Sequence, residues 1–440
     1  MDAGAPSRPF HWTLKREGII APDERLPWGQ TLAVGLQHIF AMFGATVLGP
    51  ILMGFDPNTA IFFSGIGTLI FFVVVGGRVP SYLGASCSFI AVVIAASGYS
   101  GTGLNLNIGV ALGGIIAAGA LYAVVGVVVM AVGYGWIERL MPPVVTGAVV
   151  AVIGLNLAPA AINYMIGSGK TADNFGILVG LLTALVIAIV AVYAPGMLRR
   201  LPILVGGVFG YVLYFVLSNV LNIGGTHIDF DKVTSAALIG LPSFTTPTFD
   251  SHAITLMLPV AIVLVAENLG HVKAVAAMTG RNLDPYIGRA FFADGVATML
   301  AGTGGGTGVT TYAENIGVMA VTKIYSSVVF LIAAGVAIVL GFSPMFGALV
   351  LSIPGPVLGG MAVVLFGLIA TTGGRIWVES HVDFTDNKNF ITVAVALTLG
   401  AGNLAITQGD FSIGGIGTAC IGALLVYQIL NKFGMGEKAA

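Results

Sequence analysis

The sequence predicts an all-α polytopic membrane protein with fourteen transmembrane segments in two inverted repeats of seven. Composition, the number of apolar runs and a match between the two halves predict this class. Of the 440 residues, 8% are charged and 57% are hydrophobic, whereas about 25% of a soluble chain is charged. The 63 glycines suit close packing of membrane helices. A chain of this length and composition should cross a membrane many times.

Apolar runs give the positions of the predicted spans. A helix needs about 20 residues to cross the hydrocarbon, and the third, ninth, tenth and thirteenth runs are shorter than the others. The predicted spans lie near 30–53, 58–76, 82–96, 108–131, 143–162, 174–194, 201–219, 253–270, 289–302, 306–322, 326–341, 346–370, 389–403 and 411–431.

Basic residues between the runs predict the orientation. With a cytoplasmic N-terminus, every Lys and Arg except Lys170 and Lys232 falls on the inner side, as the positive-inside rule requires. Segment 1–29 has no short apolar region with a cleavage site, so we expect a cytoplasmic tail that holds the first span in orientation. Segment 432–440 forms a second cytoplasmic tail. We therefore expect a multi-pass protein of the bacterial inner (plasma) membrane, and the net charge of -1 argues against nucleic acid as a partner.

The two halves match at an offset of about 223 residues, from the first span to the eighth. Moved back by this offset, the Gly-rich segment 305–312 falls on 82–89, which is also short, polar and interrupted by Gly. Because each half has an odd number of spans, the halves must be inverted. Interrupted segments at corresponding positions of inverted repeats indicate a transporter site at the bilayer midplane. The alternative is a coincidence between two Gly-rich stretches.

Both interrupted segments should present free backbone groups. An extended strand from Val309 to Tyr312, followed by a helix that starts near Ala313, leaves N–H groups unpaired at the helix start. These donors and the positive end of the helix dipole favour a polar or partly anionic ligand. We expect the same at Ala85–Ser88, and we expect the two extended pieces to pair and satisfy their remaining groups.

Three carboxylates lie inside the apolar runs, Glu267 in the eighth, Asp294 near the start of the ninth and Glu314 in the tenth, and the two glutamates have the clearest functional interpretation. An acid at membrane depth is costly and marks a functional site by default. Two carboxylates in a dry, confined site cannot both be ionised cheaply, so at least one can bind and release a proton during transport. An ionised carboxylate also accepts hydrogen bonds from a small neutral ligand. The alternative is a structural role, in which a protonated or paired Glu ties helices together.

Four further side chains have a functional and a structural interpretation. His271 follows Glu267 by four residues and shares its helix face, so it can relay a proton or lie solvated at the inner interface. His38 and Asp294 can act in the site or merely pack and pair. Tyr312 either stacks on a flat ligand or belongs to the core.

Other chemistry is not indicated. The sequence has no phosphate-binding loop, no His/Cys cluster with metal spacing and no nucleophile turn. We therefore expect no enzyme, no metal and no cofactor, with a proton as the coupling ion if transport is driven. Cys87 and Cys420 are interpreted as small buried hydrophobes rather than as a disulfide or metal pair.

Several motifs resemble those of the nucleobase:cation symporter family 2, also called the nucleobase–ascorbate transporter family. The family signature is similar to Glu314-Asn315-x-Gly317-x4-Thr322-Lys323. The uracil permease type resembles Thr311–Ala320, Gln37–Thr46 and Pro80–Gly84, and the family motif of span 8 resembles Glu267-Asn268-x-Gly270-His271. The resemblance covers roughly residues 30–430.

The resemblance implies a domain division and an assembly. It implies a core domain (30–131 and 253–341), a gate domain (143–219 and 346–431), and a short strand in each of spans 3 and 10. It also suggests a homodimer through the gate domains, surrounded by membrane lipid.

The resemblance also implies the roles of the site residues. Glu267 and Glu314 would hold the nucleobase ring, with His271 beside Glu267, while backbone N–H groups of Ala313 and Cys87 would meet the uracil carbonyls. Tyr312 would pack nearby, and we assign supporting roles to His38, Ser86 and Asn315. Uracil permeases of the family often have an aromatic residue at the position of Cys87 and Gly at that of Ala313. These departures affect the affinity or the choice of ligand only if the side chains at the two positions, and not just their backbone N–H groups, contact the ligand.

We therefore expect a proton-coupled importer of uracil or a related pyrimidine that works by alternating access. Glu267, His271 and Glu314 would couple the proton. The alternatives are a purine symporter of the same family, for xanthine or urate, and a passive nucleobase or anion channel on the same fold.

Overall fold

The structure of the protein, a computed structural model, describes residues 11–99, 101, 103–167, 174–196, 198–409 and 411–437. For Arg200 and for 433–437 it describes the backbone only. The predictions for Lys170, for the first ten residues and for the last three lie outside the described residues.

The described chain is mostly helical. Its α-helices are α1 Trp28–Met53, α2 Pro57–Val74, α3 Ile90–Ser97, α4 Ile108–Val132, α5 Gly135–Leu140, α6 Pro143–Ile166, α7 Asn174–Tyr193, α8 Pro202–Phe215, α9 Asp231–Ser235, α10 Ser251–Met257, α11 Val260–Thr279, α12 Ile287–Gly304, α13 Ala313–Thr322, α14 Val328–Gly341, α15 Pro344–Leu351, α16 Gly355–Glu379, α17 Asn387–Ala401 and α18 Gly415–Glu437. Its strands are β1 Thr13–Leu14, β2 Glu24–Arg25, β3 Leu83–Ala85, β4 Val309–Thr311, β5 Ile406–Gln408 and β6 Phe411–Ile413.

Eight of the described helices are long and apolar enough to cross a membrane, and α14 with α15 makes a ninth span if this pair is counted as one. The chain is therefore a polytopic membrane protein. The predicted third and tenth spans are short because each is divided: a three-residue strand precedes α3 and α13, which have 8 and 10 residues. The total of fourteen spans and the inverted repeats stay predictions.

The boundaries predicted for two spans, 346–370 and 253–270, are wrong. The predicted span 346–370 contains two helices, because α15 ends at Leu351 and Pro354 caps the start of α16; a proline cannot continue a helix that precedes it. Helix α15 also bends by 85° from α14. The predicted eighth span, by contrast, continues to Thr279 in α11, so His271 lies inside a helix and not at its end.

Helix pairs approach closely where glycines face each other. Helix α4 packs along α12, and α6 packs along α16. At Gly295 of α12, an added Cβ would lie 2.4 Å from the backbone nitrogen of Ala123 in α4. Small residues permit such backbone contact in membranes, where apolar burial alone does not hold helices together.

Substitution of Gly295 should therefore separate α4 from α12. We expect Gly295→Ala to reduce the free energy of unfolding by about 1–3 kcal/mol, the usual cost of overpacking. The control is Gly335→Ala in α14, where a Cβ would meet nothing within 4 Å. A detergent thermal-shift assay should show a lower Tm for Gly295→Ala alone, and equal Tm values would contradict this account of the packing.

The N-terminal segment 11–27 is held against the connection between α13 and α14. The Ile20 N–H donates to the Lys323 carbonyl over 3.0 Å, and the Tyr325 N–H donates to the Ile20 carbonyl over 2.7 Å. The Ser327 hydroxyl donates to the Pro22 carbonyl at 2.8 Å. This part of the predicted tail thus contacts the end of α13 as well as leading into α1.

Candidate functional site

A two-stranded antiparallel sheet stands at the centre of the site. Strand β3 pairs with β4, with Leu83 opposite Thr311 and Ala85 opposite Val309. The prediction that the two interrupted segments contain strands that pair with each other is confirmed. Glycines and β-branched residues favour extended backbone here, and mutual pairing satisfies groups that lipid cannot.

Two threonines satisfy the outer edges of this sheet. The Thr68 hydroxyl of α2 accepts a hydrogen bond from the Leu83 N–H at 2.9 Å, and the Thr298 hydroxyl of α12 accepts one from the Val309 N–H at 3.1 Å. The Thr298 hydroxyl also donates to the Val309 carbonyl at 3.1 Å, whereas the proton of Thr68 is shared between the Ser64 carbonyl at 2.8 Å and the Leu83 carbonyl at 3.3 Å. The edges therefore need no third strand.

A helix start follows each strand. Cys87 opens a short 3-10 turn that leads into α3, and Ala313 is the first residue of α13. The first N–H groups of a helix have no intrahelical partner, so both residues present free donors. Ala313 is exposed and Cys87 is half-buried, although residues around them such as Phe89 and Tyr312 are buried. Ala313 is therefore accessible, and Cys87 partly accessible, among buried neighbours.

Glu267 and Glu314 lie near these helix starts. Glu267 comes from the middle of α11 and Glu314 from the first turn of α13. Their charges lie close enough to interact with each other, and the Cys87 thiol lies within the same range of both. The Ser88 hydroxyl lies beside the Glu267 carboxylate and interacts with it, and Glu267 Oε2 has no further hydrogen-bond partner within the described residues. Unpaired polar atoms of this kind can serve a ligand.

Exposed residues continue along both acidic helices. On α13, Ala313, Gly317 and Val321 form an exposed stripe at helical spacing. On α11, Gly270 and Ala274 are exposed in the same way, one and two turns beyond Glu267. These residues extend from the carboxylates toward the ends of the two helices, on the side predicted to be cytoplasmic.

His271 is linked to β4 and not directly to Glu267. Its Nδ1 lies 2.8 Å from the Thr311 hydroxyl, which in turn donates to Asn268 Oδ1 at 3.3 Å. The Asn268 amide nitrogen donates to Asp294 Oδ2 at 2.7 Å and to the Tyr122 hydroxyl at 2.8 Å. Asp294, Asn268 and Tyr122 are fully buried, so this network lies behind the site.

Tyr312 lies beside the strands and is only 4% exposed. Its hydroxyl donates to the Ala85 carbonyl at 2.9 Å and accepts from the Thr46 hydroxyl at 3.1 Å. The phenol therefore ties α1 and β3 to the start of α13. Its predicted contact with a ligand stays a prediction.

The three residues with predicted supporting roles lie around the helix starts. Asn315 Nδ2 contacts His38 Nδ1 at 2.9 Å and the His38 carbonyl at 3.2 Å, which links α13 to α1. The His38 ring is fully buried and lies 4.6 Å from the ring of Phe330. The Ser86 hydroxyl accepts from the Ser88 N–H at 3.3 Å and caps the turn after β3.

Sequence reasoning missed several polar residues of the site, namely Ser88, Asn268 and Thr311 as individual contributors. Their position inside or next to the recognised motifs could have indicated them. Among the described residues, no group of three or more His, Cys, Asp or Glu could hold a metal ion. The arrangement can instead grip a small, flat, polar molecule with backbone donors and carboxylate acceptors.

Comparison with known sequences gives consistent matches over nearly the whole chain. A family model described as "Permease family" (Xan_ur_permease) matches residues 29–409. The chain is 59% identical over 426 residues to "Putative pyrimidine permease RutG" of Escherichia coli (strain K12), covering 96% of this chain and 95% of that protein. It is 39% identical over 432 residues to "Uracil permease" of Paenibacillus larvae subsp. larvae, covering 95% and 98%.

Comparison with solved structures shows a shared fold. The transmembrane domain of the bicarbonate transporter BicA of a cyanobacterium matches with a TM-score of 0.60 and 16% identity, over 91% of this chain and 97% of that one. SLC26A9 matches with a TM-score of 0.64 and 13% identity, over 90% of this chain and 64% of that one. This chain thus corresponds to about two thirds of the length of SLC26A9.

Proposed function

Because the chain belongs to the nucleobase:cation symporter 2 family, we propose that it imports uracil or a closely related pyrimidine together with protons. The relatives named as pyrimidine and uracil permeases support this substrate class, since they match over nearly the full length of both chains. A permease moves its substrate unchanged, so this chain is a transporter and not an enzyme.

The paired strands, with a carboxylate beside each helix start, carry the proposal. Uracil is flat and neutral, and its cis-amide faces place an N–H donor beside a carbonyl acceptor. A carboxylate and a backbone N–H next to it match that pair of groups. Glu267 and Glu314 supply the acceptors, and the N–H groups of Ala313 and Cys87 supply the donors.

The proton pathway uses the same acids. Glu267 and Glu314 interact electrostatically, and with both ionised their repulsion would oppose binding. Protonation of one of them would relieve this repulsion and couple proton entry to substrate entry. His271, one turn beyond Glu267, would exchange the proton with it.

The movement would be a rocking of a core domain (30–131 and 253–341) against a gate domain (143–219 and 346–431), within fourteen spans in two inverted repeats. The equivalent roles of Thr68 and Thr298 on the two strands support this symmetry. Termini in the cytoplasm of a bacterium, an inner-membrane location and a homodimer through the gate domains complete the proposal.

The test is accumulation of radiolabelled uracil in cells or vesicles, with and without a protonophore. We expect accumulation above equilibrium that the protonophore abolishes, because the proton gradient supplies the energy. The same assay with xanthine and urate as competitors should show no competition. Equilibration without accumulation would indicate a channel, and preferred uptake of a purine would replace the pyrimidine.

A further inference from the structure

We infer that Asp294, Asn268, Tyr122 and Thr311 form a buried hydrogen-bond chain that holds His271 with its proton on Nδ1. They are positioning residues, because they act on the site through His271. This series of hydrogen bonds begins at Asp294 and Tyr122, behind the site, and ends at the His271 imidazole. Which atom donates in each bond follows from the partners of the Asn268 amide nitrogen. The inference rests on the proposed function only for its consequence, which is the control of proton exchange at His271.

The Asn268 amide nitrogen fixes the direction at the far end. Its two hydrogens go to Asp294 Oδ2 at 2.7 Å and to the Tyr122 oxygen at 2.8 Å. The Tyr122 hydroxyl in turn donates its single proton to the Leu264 carbonyl over 3.3 Å. The opposite orientation of the amide would place its oxygen against the Asp294 carboxylate.

The amide orientation then determines the rest of the chain. With Nδ2 facing Tyr122 and Asp294, Asn268 Oδ1 faces the Thr311 hydroxyl and accepts its proton at 3.3 Å. Thr311 has no second proton to offer, so its oxygen accepts from His271 Nδ1 at 2.8 Å. Nδ1 therefore carries the hydrogen, and Nε2 is the only ring atom that can take up a proton.

A second buried histidine has the opposite arrangement. Asn315 Nδ2 must face the His38 carbonyl, which only accepts, and the same amide nitrogen lies 2.9 Å from His38 Nδ1. His38 Nδ1 therefore accepts and its proton lies on Nε2. The signal of His38 can therefore serve as a reference for the Nε2–H form in the same spectrum as His271.

Asp294 completes the chain at the end opposite His271. One carboxylate oxygen accepts from Asn268 at 2.7 Å, and the backbone of Thr311 also interacts with this carboxylate. A carboxylate there would provide a counter-charge when His271 Nε2 takes up a proton, through two intervening side chains. The other titratable groups around His271 are those of the site and its surroundings: Glu267 on α11, Glu314 on α13, Tyr122 on α4 and Cys87 after β3.

The experiment reads the tautomer of His271 directly. Protein with isotope-labelled histidine is reconstituted in lipid vesicles without substrate, about two pH units above the ordinary histidine pKa of about 6.5. Solid-state NMR of the ring carbons and nitrogens separates Nδ1–H from Nε2–H rings, and His271→Gln assigns the signal. We expect an Nδ1–H signal for His271 that is lost in Thr311→Val and retained in Thr311→Ser, which keeps the hydroxyl.

Thr310→Val is the matched control. Thr310 is the adjacent buried threonine, and its hydroxyl has no partner within the described residues. The control should therefore leave the Nδ1–H signal intact, and a thermal-shift measurement verifies that each variant is folded. An Nε2–H signal for His271 in the unmodified protein, or the same signal in Thr310→Val and Thr311→Val, would overturn the inference. Because no transport is measured, failure of uracil uptake would refute the proposed function and leave this result standing.

Discussion

Glu267→Gln and Glu314→Ala should each reduce proton-driven uracil uptake to the background of cells without the protein. Glutamine keeps the shape of Glu267, but it cannot take up and release the proton, and one of its two terminal atoms is a donor where the carboxylate has an acceptor. Alanine removes the acceptor at the start of α13 altogether. A hydrogen bond to a charged group contributes about 1.5–3 kcal/mol, so uracil affinity should also fall roughly 10- to 150-fold.

The measurement is accumulation of radiolabelled uracil, normalised to the amount of protein in the membrane. Glu379→Gln is the matched control, because Glu379 is an exposed acid whose salt bridge to Arg375 lies on the surface of α16. It should transport like the unmodified protein. Near-normal accumulation by either site variant would refute the assignment of that carboxylate.

Gly84→Ala should abolish the stabilisation of the protein by uracil. A Cβ at Gly84 would lie 2.4 Å from Tyr312 Cζ. Hydrogen bonds to Thr46 and Ala85 hold the phenol, so it cannot move aside freely. Either the ring or the β3–β4 pairing must shift, and both helix starts would lose their alignment. We expect a loss of about 1–3 kcal/mol in the free energy of unfolding and no thermal shift on addition of uracil.

Gly49→Ala provides the comparison for this variant. Gly49 on α1 faces the same strand, but its added Cβ would lie 3.5 Å from the Ala85 Cβ, an ordinary contact. This variant should keep its Tm and its response to uracil. A full uracil shift in Gly84→Ala would mean that the site tolerates displacement of Tyr312 or of the strands.

The interrupted segments were the part of the site most open to prediction. Their glycines and β-branched residues disfavour helix, so the strand before Ala313 and its partner after Pro80 follow from local rules. Glu267 and Glu314 stand out because idle acids are rare at membrane depth. Both features can be recognised from residue type and hydropathy alone, without knowledge of the fold.

The partners of polar side chains could not be predicted in the same way. Hydropathy shows that Thr68, Asn268 and Thr298 lie in apolar runs, but not which backbone group each hydroxyl or amide meets. The partners described above lie on the two strands or on other helices, more than ten residues away in sequence. The predicted eighth span also ended too early, at residue 270, because Asn268, His271 and Lys273 lower the local hydropathy although the helix continues to Thr279.

The contact between the N-terminal segment and the α13–α14 connection has a practical consequence. Helix α13 carries Glu314, and its far end is tied to Ile20 and Pro22 through main-chain and hydroxyl contacts. A shortened protein that begins at α1 would leave that end untethered, so α13 would be free to tilt. Affinity tags and reporter fusions are therefore better attached after α18 than in place of the segment before α1.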